Sequence, residues 1–193
     1  MAVTPVKLSD KELQKWAGDY WSTSNEYSRK IYLKDNALYY SRNEQSETKL
    51  IPLSKNKFTM FESENISIKF NGDAHKIKTM SFNSNGSAPN KALSYKKIHY
   101  TADELNAFSG EYISSEISVT YDLKIKNGQL FLFINDKESS PLVSIKENLL
   151  HSSNYGAFYF NRDNSGKVVS FKLSADRVKN LLFTKKHIQK KTS

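Results

Sequence analysis

Polar and apolar residues alternate along much of this chain. Runs with a period of two cover residues 29–34 and 121–126, each followed by a second run, 37–42 and 129–134. Such alternation is the pattern of a half-buried strand. Asp35-Asn36 and Asn127-Gly128 separate the members of each pair. Asn and Gly tolerate a positive φ, so both dipeptides predict tight hairpin turns. Further short runs at 49–53, 57–61, 66–71, 76–82 and 92–98 complete the first half of the chain, and their counterparts, ending at 180–185, complete the second. No stretch carries the period of an amphipathic helix of about 10–12 residues.

The two halves repeat one another. Leu13, Trp16, Gly18 and Tyr20 return as Leu105, Phe108, Gly110 and Tyr112, an offset of 92 that persists through the first hairpin and drifts to 90 and 91 further on. Ordered matching over this distance predicts a duplicated unit. In each copy the Leu and the aromatic stand three apart, so a short helical turn would present both to one end of a sheet. The glycine that follows permits close backbone approach before the first strand. Short strands joined by turns, with only such helical openings, predict an all-β protein: two tandem homologous small antiparallel up-and-down β-barrels of about eight strands each, with a nearly closed sandwich as the alternative. The expected boundaries are 8–99 for the first barrel, 100–186 for the second and 187–193 for a basic disordered tail.

Composition fits this picture. The chain has 193 residues, 38% hydrophobic, with 11 Tyr, 11 Phe and 2 Trp. Such aromatic content favours small barrels filled by their own side chains. There are no cysteines, which excludes disulfides, thiolate nucleophiles and Cys-ligated metals. No apolar run approaches the ~20 residues of a membrane-spanning helix. The first residues, Met1 to Pro5, show no leader pattern, and the compartment stays open. The formal charge is +9. Its excess lies in residues 1–100 and in four tail lysines, Lys185, Lys186, Lys190 and Lys191, while only Arg29 and Arg42 represent arginine in the first hundred positions. The lysines alternate with Ser, Asn and acids, which reads as solvated strand faces rather than a nucleic-acid surface.

The repeat signature Leu-x-x-aromatic-x-Gly-x-Tyr, followed by a strand, an Asp/Asn-Gly-type turn and a Leu-aromatic strand, resembles the C-terminal lipocalin-like barrel domains of bacterial β-lactamase-related serine hydrolases, a group that includes D-aminopeptidases. The stretch Phe160-Asn-Arg-Asp163, with Gly166-Lys-Val168 and Phe171 to Phe183, is similar to how those chains end. The resemblance spans about Leu8 to Lys186. It implies a non-catalytic accessory module that shapes access to a neighbouring active site or builds an oligomer, and a periplasmic or extracellular place if the parent is exported. The partners implied are a hydrolase catalytic domain or a second copy. The alternative is a stand-alone carrier of a small apolar ligand; a carbohydrate-binding or adhesion module has only exposed aromatics in its favour.

Catalytic chemistry finds little support. Ser46–Lys49, Ser54–Lys57 and Ser94–Lys97 match the Ser-x-x-Lys string of those hydrolases, and Ser63-Glu-Asn65 and Ser152-Ser-Asn154 its second motif. All fall on predicted strands or turns, whereas the nucleophile belongs at a helix start. Their Lys-Thr-Gly or His-Thr-Gly element is absent. The chain itself is therefore read as no enzyme, with no cofactor. His75, His99, His151 and His187 lack metal-ligand spacing, and no metal is expected. Asp73 and Asp163 occupy equivalent turns and read as Asx-turn caps. Outward-facing aromatics remain: if Tyr20, Ile31, Leu33, Leu38 and Tyr40 point inward, Trp21, Tyr32 and Tyr39 point out, as do Phe131 and Phe133 in the second copy. They are expected to form a packing or docking face, buried against the sister barrel or presented to a partner.

Overall fold

A computed structural model describes residues 4–43, 46–61, 63–73 and 76–186, without the side chains of Asn43 and Glu64. The chain divides into two compact units, the first running to Lys96 and the second beginning at Lys97. The expected tail at 187–193 lies outside the described residues.

The first unit comprises a helical turn α1 (Asp10–Gln14) and eight strands: β1 (Gly18–Ser22), β2 (Tyr27–Lys34), β3 (Ala37–Asn43), β4 (Ser46–Pro52), β5 (Lys57–Met60), β6 (Ser63–Asn71), β7 (Thr79–Ser84) and β8 (Asn90–Tyr95). The second repeats this plan with α2 (Ala102–Asn106), β9 (Gly110–Ile113), β10 (Thr120–Lys126), β11 (Gln129–Ile134), β12 (Lys137–Lys146), β13 (Leu149–Ser152), β14 (Gly156–Arg162), β15 (Val168–Ala175) and β16 (Val178–Lys185). Each set closes into an eight-stranded antiparallel barrel in which sequential strands are neighbours. Closure joins β1 to β8 through Asp19↔Tyr95, Tyr20↔Ser94 and Trp21↔Leu93, and β16 to β9 through Thr184↔Ile113 and Lys185↔Tyr112. A closed sheet has no unpaired edge to template aggregation.

The predicted hairpins have the expected geometry. Asp35 and Asn36 have φ of 50° and 55°, and Asn127 and Gly128 have 51° and 74°, positive at both central residues as a twisted two-residue turn requires. Several strand bounds differ from the sequence expectation: β4 and β6 each begin three residues before the runs predicted at 49–53 and 66–71. The run at 76–82 starts as a strand only at Thr79, and the last strand of the first barrel covers Asn90–Tyr95 rather than 92–98.

Alternation fills both interiors. In the first barrel Tyr20, Ile31, Leu38, Leu50, Phe58, Ile68, Phe70 and Met80 are fully buried and form one cluster with Leu13 and Trp16 of the helical turn. Phe70 stacks on Trp16 at 5.4 Å and takes the Phe58 ring edge-on at 5.6 Å. In the second, Phe158, Phe171 and Phe183 continue an aromatic column, with ring centroids 5.1 and 4.8 Å apart along it. These aromatic contacts replace the aliphatic packing of larger barrels and leave the interiors occupied by side chains.

Candidate functional site

The helical turns close one end of each barrel, and the signature residues explain how. Ser9 and Thr101 cap the two turns, each accepting from the backbone N–H three residues on, while Glu12 and Glu104 accept from the cap residues' own N–H. This reciprocal capping box stabilises turns too short to form alone. Its Ser/Thr-x-x-Glu spacing was present in the sequence but formed no part of the repeat signature. Hydrogen bonding to Ser9 and Thr101 holds both glutamates below the usual carboxylate range. Trp16 donates its Nε1–H to the Lys55 carbonyl at 2.9 Å. The Tyr20 and Tyr112 hydroxyls donate to the carbonyls of Trp16 and Phe108, both at 2.8 Å. Burial pushes both phenols far above their ordinary value.

A lysine completes each plug. Lys78 Nζ donates to the Lys15 and Ala17 carbonyls at 2.9 and 2.7 Å. Lys185 Nζ donates to the Ala107 carbonyl at 3.0 Å. Burial lowers the pKa of both amines. The carbonyls at a helix end lack intrahelical donors, and an ammonium satisfies them. The two lysines come from non-equivalent places, just before β7 and at the end of β16, so their common role is invisible to alignment of the copies. Gly18 and Gly110 stand beside these lysines at φ +146° and +132°, and at Gly110 the missing Cβ leaves Lys185 its room. A Cβ on Gly110 would stand 2.8 Å from Lys185 Cε, and one on Gly18 3.7 Å from Lys78 Nζ.

At the opposite end the two copies diverge. A cleft of about 540 Å³ opens at the mouth of the first barrel, with Tyr40, Arg42, Thr48, Met60, Phe61 and Ile66 in its lining. Tyr40 and Met60 belong to the barrel core, whereas Phe61 is 53% exposed at the rim. Beside it Arg29 donates from Nε to the Tyr40 hydroxyl at 2.6 Å and from Nη1 to the Ser28 carbonyl at 2.7 Å. Its guanidinium lies 3.8 Å from the ring centre of Tyr27, whose phenol is raised mainly by burial. At the offset of 92, Arg29, Tyr40, Arg42 and Thr48 correspond to Tyr121, Leu132, Ile134 and Ser140. There the mouth is shut. Tyr121 stacks on Phe183 at 4.5 Å, Tyr155 meets Tyr121 edge-on and bonds Ser139 through its hydroxyl, and Ser140 and Ser152 share a hydrogen bond of 2.7 Å.

The outward aromatics of the first barrel do not form one face. Tyr32 and Tyr39 are cross-strand partners with rings 5.9 Å apart. Trp21 stands opposite Ser28, four residues from Tyr32 along β2, or roughly 13 Å at the usual strand rise. Trp21 is 3% exposed, while Tyr32 and Tyr39 are half-buried. Phe131 and Phe133 are half-buried too, on the outer wall of the second barrel. A lysine covers Tyr39, Phe131 and Phe133. Lys34 lies 5.1 Å over Tyr39 and pairs with Glu47 at 2.6 Å. Lys126 lies 5.9 Å over Phe131 and pairs with Glu138, and Lys124 lies 5.0 Å over Phe133. The stems of these lysines shield the rings, while the charges of Lys34 and Lys126 meet a glutamate two strands away and that of Lys124 meets Asp122 on its own strand.

The remaining candidates have local structural partners or none of the geometry they would need. Ser46 and Lys49 lie on β4, and Ser54 accepts from the Lys57 amide in the turn before β5. Ser152 accepts from the Asn154 and Tyr155 amides. Asp163 is the expected Asx cap, accepting from the Ser165 and Lys167 amides at 2.9 and 3.0 Å. His75 and His187 lie outside the described residues, His99 is exposed and His151 half-buried on β13. Among the described residues no group of three or more His, Cys, Asp or Glu could hold a metal ion, and no helix is long and apolar enough to cross a membrane.

The sequence matches no family model and no curated protein. Among solved structures, a DUF3598-family protein of unknown function from Nostoc punctiforme aligns over 88% of this chain and 83% of its own, at 12% identity and a TM-score of 0.23. Nothing about the present chain's fold or function follows from a likeness of that size.

Proposed function

We propose that this chain is a non-catalytic binding module in which the second barrel is structural and the mouth of the first is the working site. One observation carries the reading: two copies of one unit keep the same plug but differ at the opposite end. Copy two places Tyr121, Leu132 and Ile134 where copy one has Arg29, Tyr40 and Arg42. Stability alone favours the apolar residue at the half-buried position of Arg29, where a charged group carries a desolvation cost, and exposed Arg42 adds no core packing of the kind Ile134 can supply. Charged groups retained beside an open cleft are better explained by a ligand. The filled cores weigh against an apolar guest inside a barrel, so the carrier reading moves from the interior to the mouth.

An accessory role beside a β-lactamase-like serine hydrolase domain is the narrower form of the same proposal. It rests on the resemblance of the repeat signature, and the first barrel's mouth would then face that domain or its substrate. The test is an amide-shift titration of the isotopically labelled chain with a purified hydrolase domain of this kind and with a small-molecule library. Saturable shifts centred on Tyr40, Thr48 and Ile66 are expected for a true partner. Shifts confined to the second barrel would refute the assignment of the working site.

A further inference from the structure

We infer that the mouth of the first barrel takes the carboxylate of a small organic acid, with the acid's apolar part against Met60, Ile66 and Phe61. The inference rests on the reading of this mouth as the working site and adds the class of ligand. Hydrogen-bond donors dominate the described lining. The Tyr40 oxygen already accepts from Arg29 at 2.6 Å, which leaves its own O–H to donate. Arg42 lines the cleft and is exposed, and among the described residues it enters no ion pair. Its planar fork of N–H groups matches a carboxylate in two parallel bonds. Thr48 and Ser63 add hydroxyls. The carboxylate among the lining residues, Glu47, is engaged by Lys34 Nζ at 2.6 Å and by the Tyr32 hydroxyl. Met60 and Ile66 belong to or pack on the barrel core, so the cleft joins a donor-rich rim to an apolar floor. A space of about 540 Å³ falls within the usual size of small-molecule sites, roughly 300–1,000 Å³.

The second barrel supplies an internal control, because Ile134 and Leu132 replace Arg42 and Tyr40 there. The experiment titrates the full labelled chain with hexanoate, hexanol, hexylamine and inorganic phosphate at matched ionic strength, following backbone amide shifts. The amine arm matters because Glu44, Glu62 and Glu64 neighbour this mouth in sequence. Hexanoate is expected to give saturable shifts at Tyr40, Thr48 and Ile66 and none at Leu132 or Ser140. Arg42→Gln, at an exposed position, is expected to weaken it by about tenfold or more while leaving the amide spectrum of both barrels intact. Hexanol, hexylamine or phosphate binding there as tightly as hexanoate would overturn the inference but keep the mouth as a binding site. No saturable shift with any of these probes would remove the inference, and none with the hydrolase domain or the library either would remove the proposed function as well.

Discussion

Gly110→Ala and Gly18→Ala form a matched pair, because the duplication places the same glycine in two nearly identical plugs. At φ of +132° and +146° an alanine is strained in either barrel, by about 1–3 kcal/mol. The neighbourhoods differ. In the first barrel the added Cβ meets Lys78 Nζ at 3.7 Å, an ordinary contact. In the second it lies 2.8 Å from Lys185 Cε, so the lysine must swing aside and its 3.0 Å bond to the Ala107 carbonyl is lost. The side chain moves easily, so the steric cost is small. The lost ammonium–carbonyl bond, partly screened by solvent, adds about 1 kcal/mol. Gly110→Ala should therefore destabilise its barrel by about 1 kcal/mol more than Gly18→Ala destabilises the other. Native-state hydrogen exchange separates the two, read at the Leu38 amide for the first barrel and the Leu132 amide for the second. In Lys185→Ala the added methyl has nothing to displace, so the extra cost of Gly110→Ala should vanish. Equal costs in the two barrels, or strict additivity of Gly110→Ala with Lys185→Ala, would refute the proposed lysine cap.

Tyr20→Phe and Tyr112→Phe each remove a buried hydrogen bond to a plug carbonyl and should cost about 1–2 kcal/mol in urea unfolding. Trp21→Ser should cost about 3–5 kcal/mol, as large-to-small changes at buried positions do, and Tyr39→Ser clearly less; equal losses would contradict their different burial. At high pH the buried phenols set the trend. Tyr95 is pushed up to about 12, and Tyr20 and Tyr112 still further. The folded state thus holds protons that the unfolded chain releases near pH 10, and the stability contributed by these groups is intact below that value and lost as pH rises through the folded values. Lys78 and Lys185, held below the ordinary lysine value, act in the opposite sense between their lowered values and that value. Phenolate absorbance should show these three tyrosines ionising only on unfolding.

The duplication was legible because the plug needs the same few residues twice: a leucine and an aromatic one helical turn apart, a glycine at positive φ and a tyrosine to bond back. The hairpin turns were legible for the same reason, since Asn and Gly mark positive φ locally. The lysine caps were not. Lys78 and Lys185 reach equivalent carbonyls from different strands, and only closure of the barrel brings them there. Alternation placed Trp21, Tyr32 and Tyr39 on the outer wall but said nothing of their separation along it. That distance depends on the pairing of Trp21 with Ser28 and of Tyr32 with Tyr39. The divergent mouth was written in the offset of 92, which sets Arg29 on Tyr121 and Arg42 on Ile134, yet it acquires meaning only once those positions are known to flank and line an opening.

Barrel closure also orders events during synthesis. Each sheet is completed by pairing its first strand with its last, a contact that spans the whole repeat and is entropically slow to form. The final strand of the first barrel ends at Tyr95 and that of the second at Lys185. A nascent chain can therefore close the first barrel while the second is still an incomplete sheet. Two repeats this alike could exchange strands, β9 for β1 against β8 being the simplest error. Emergence from the ribosome separates the competitors in time, because β8 meets β1 before β9 has a complete sheet to join. Refolding from denaturant removes that head start, and the full chain should then recover more slowly, and with more swapped species, than it does when newly made.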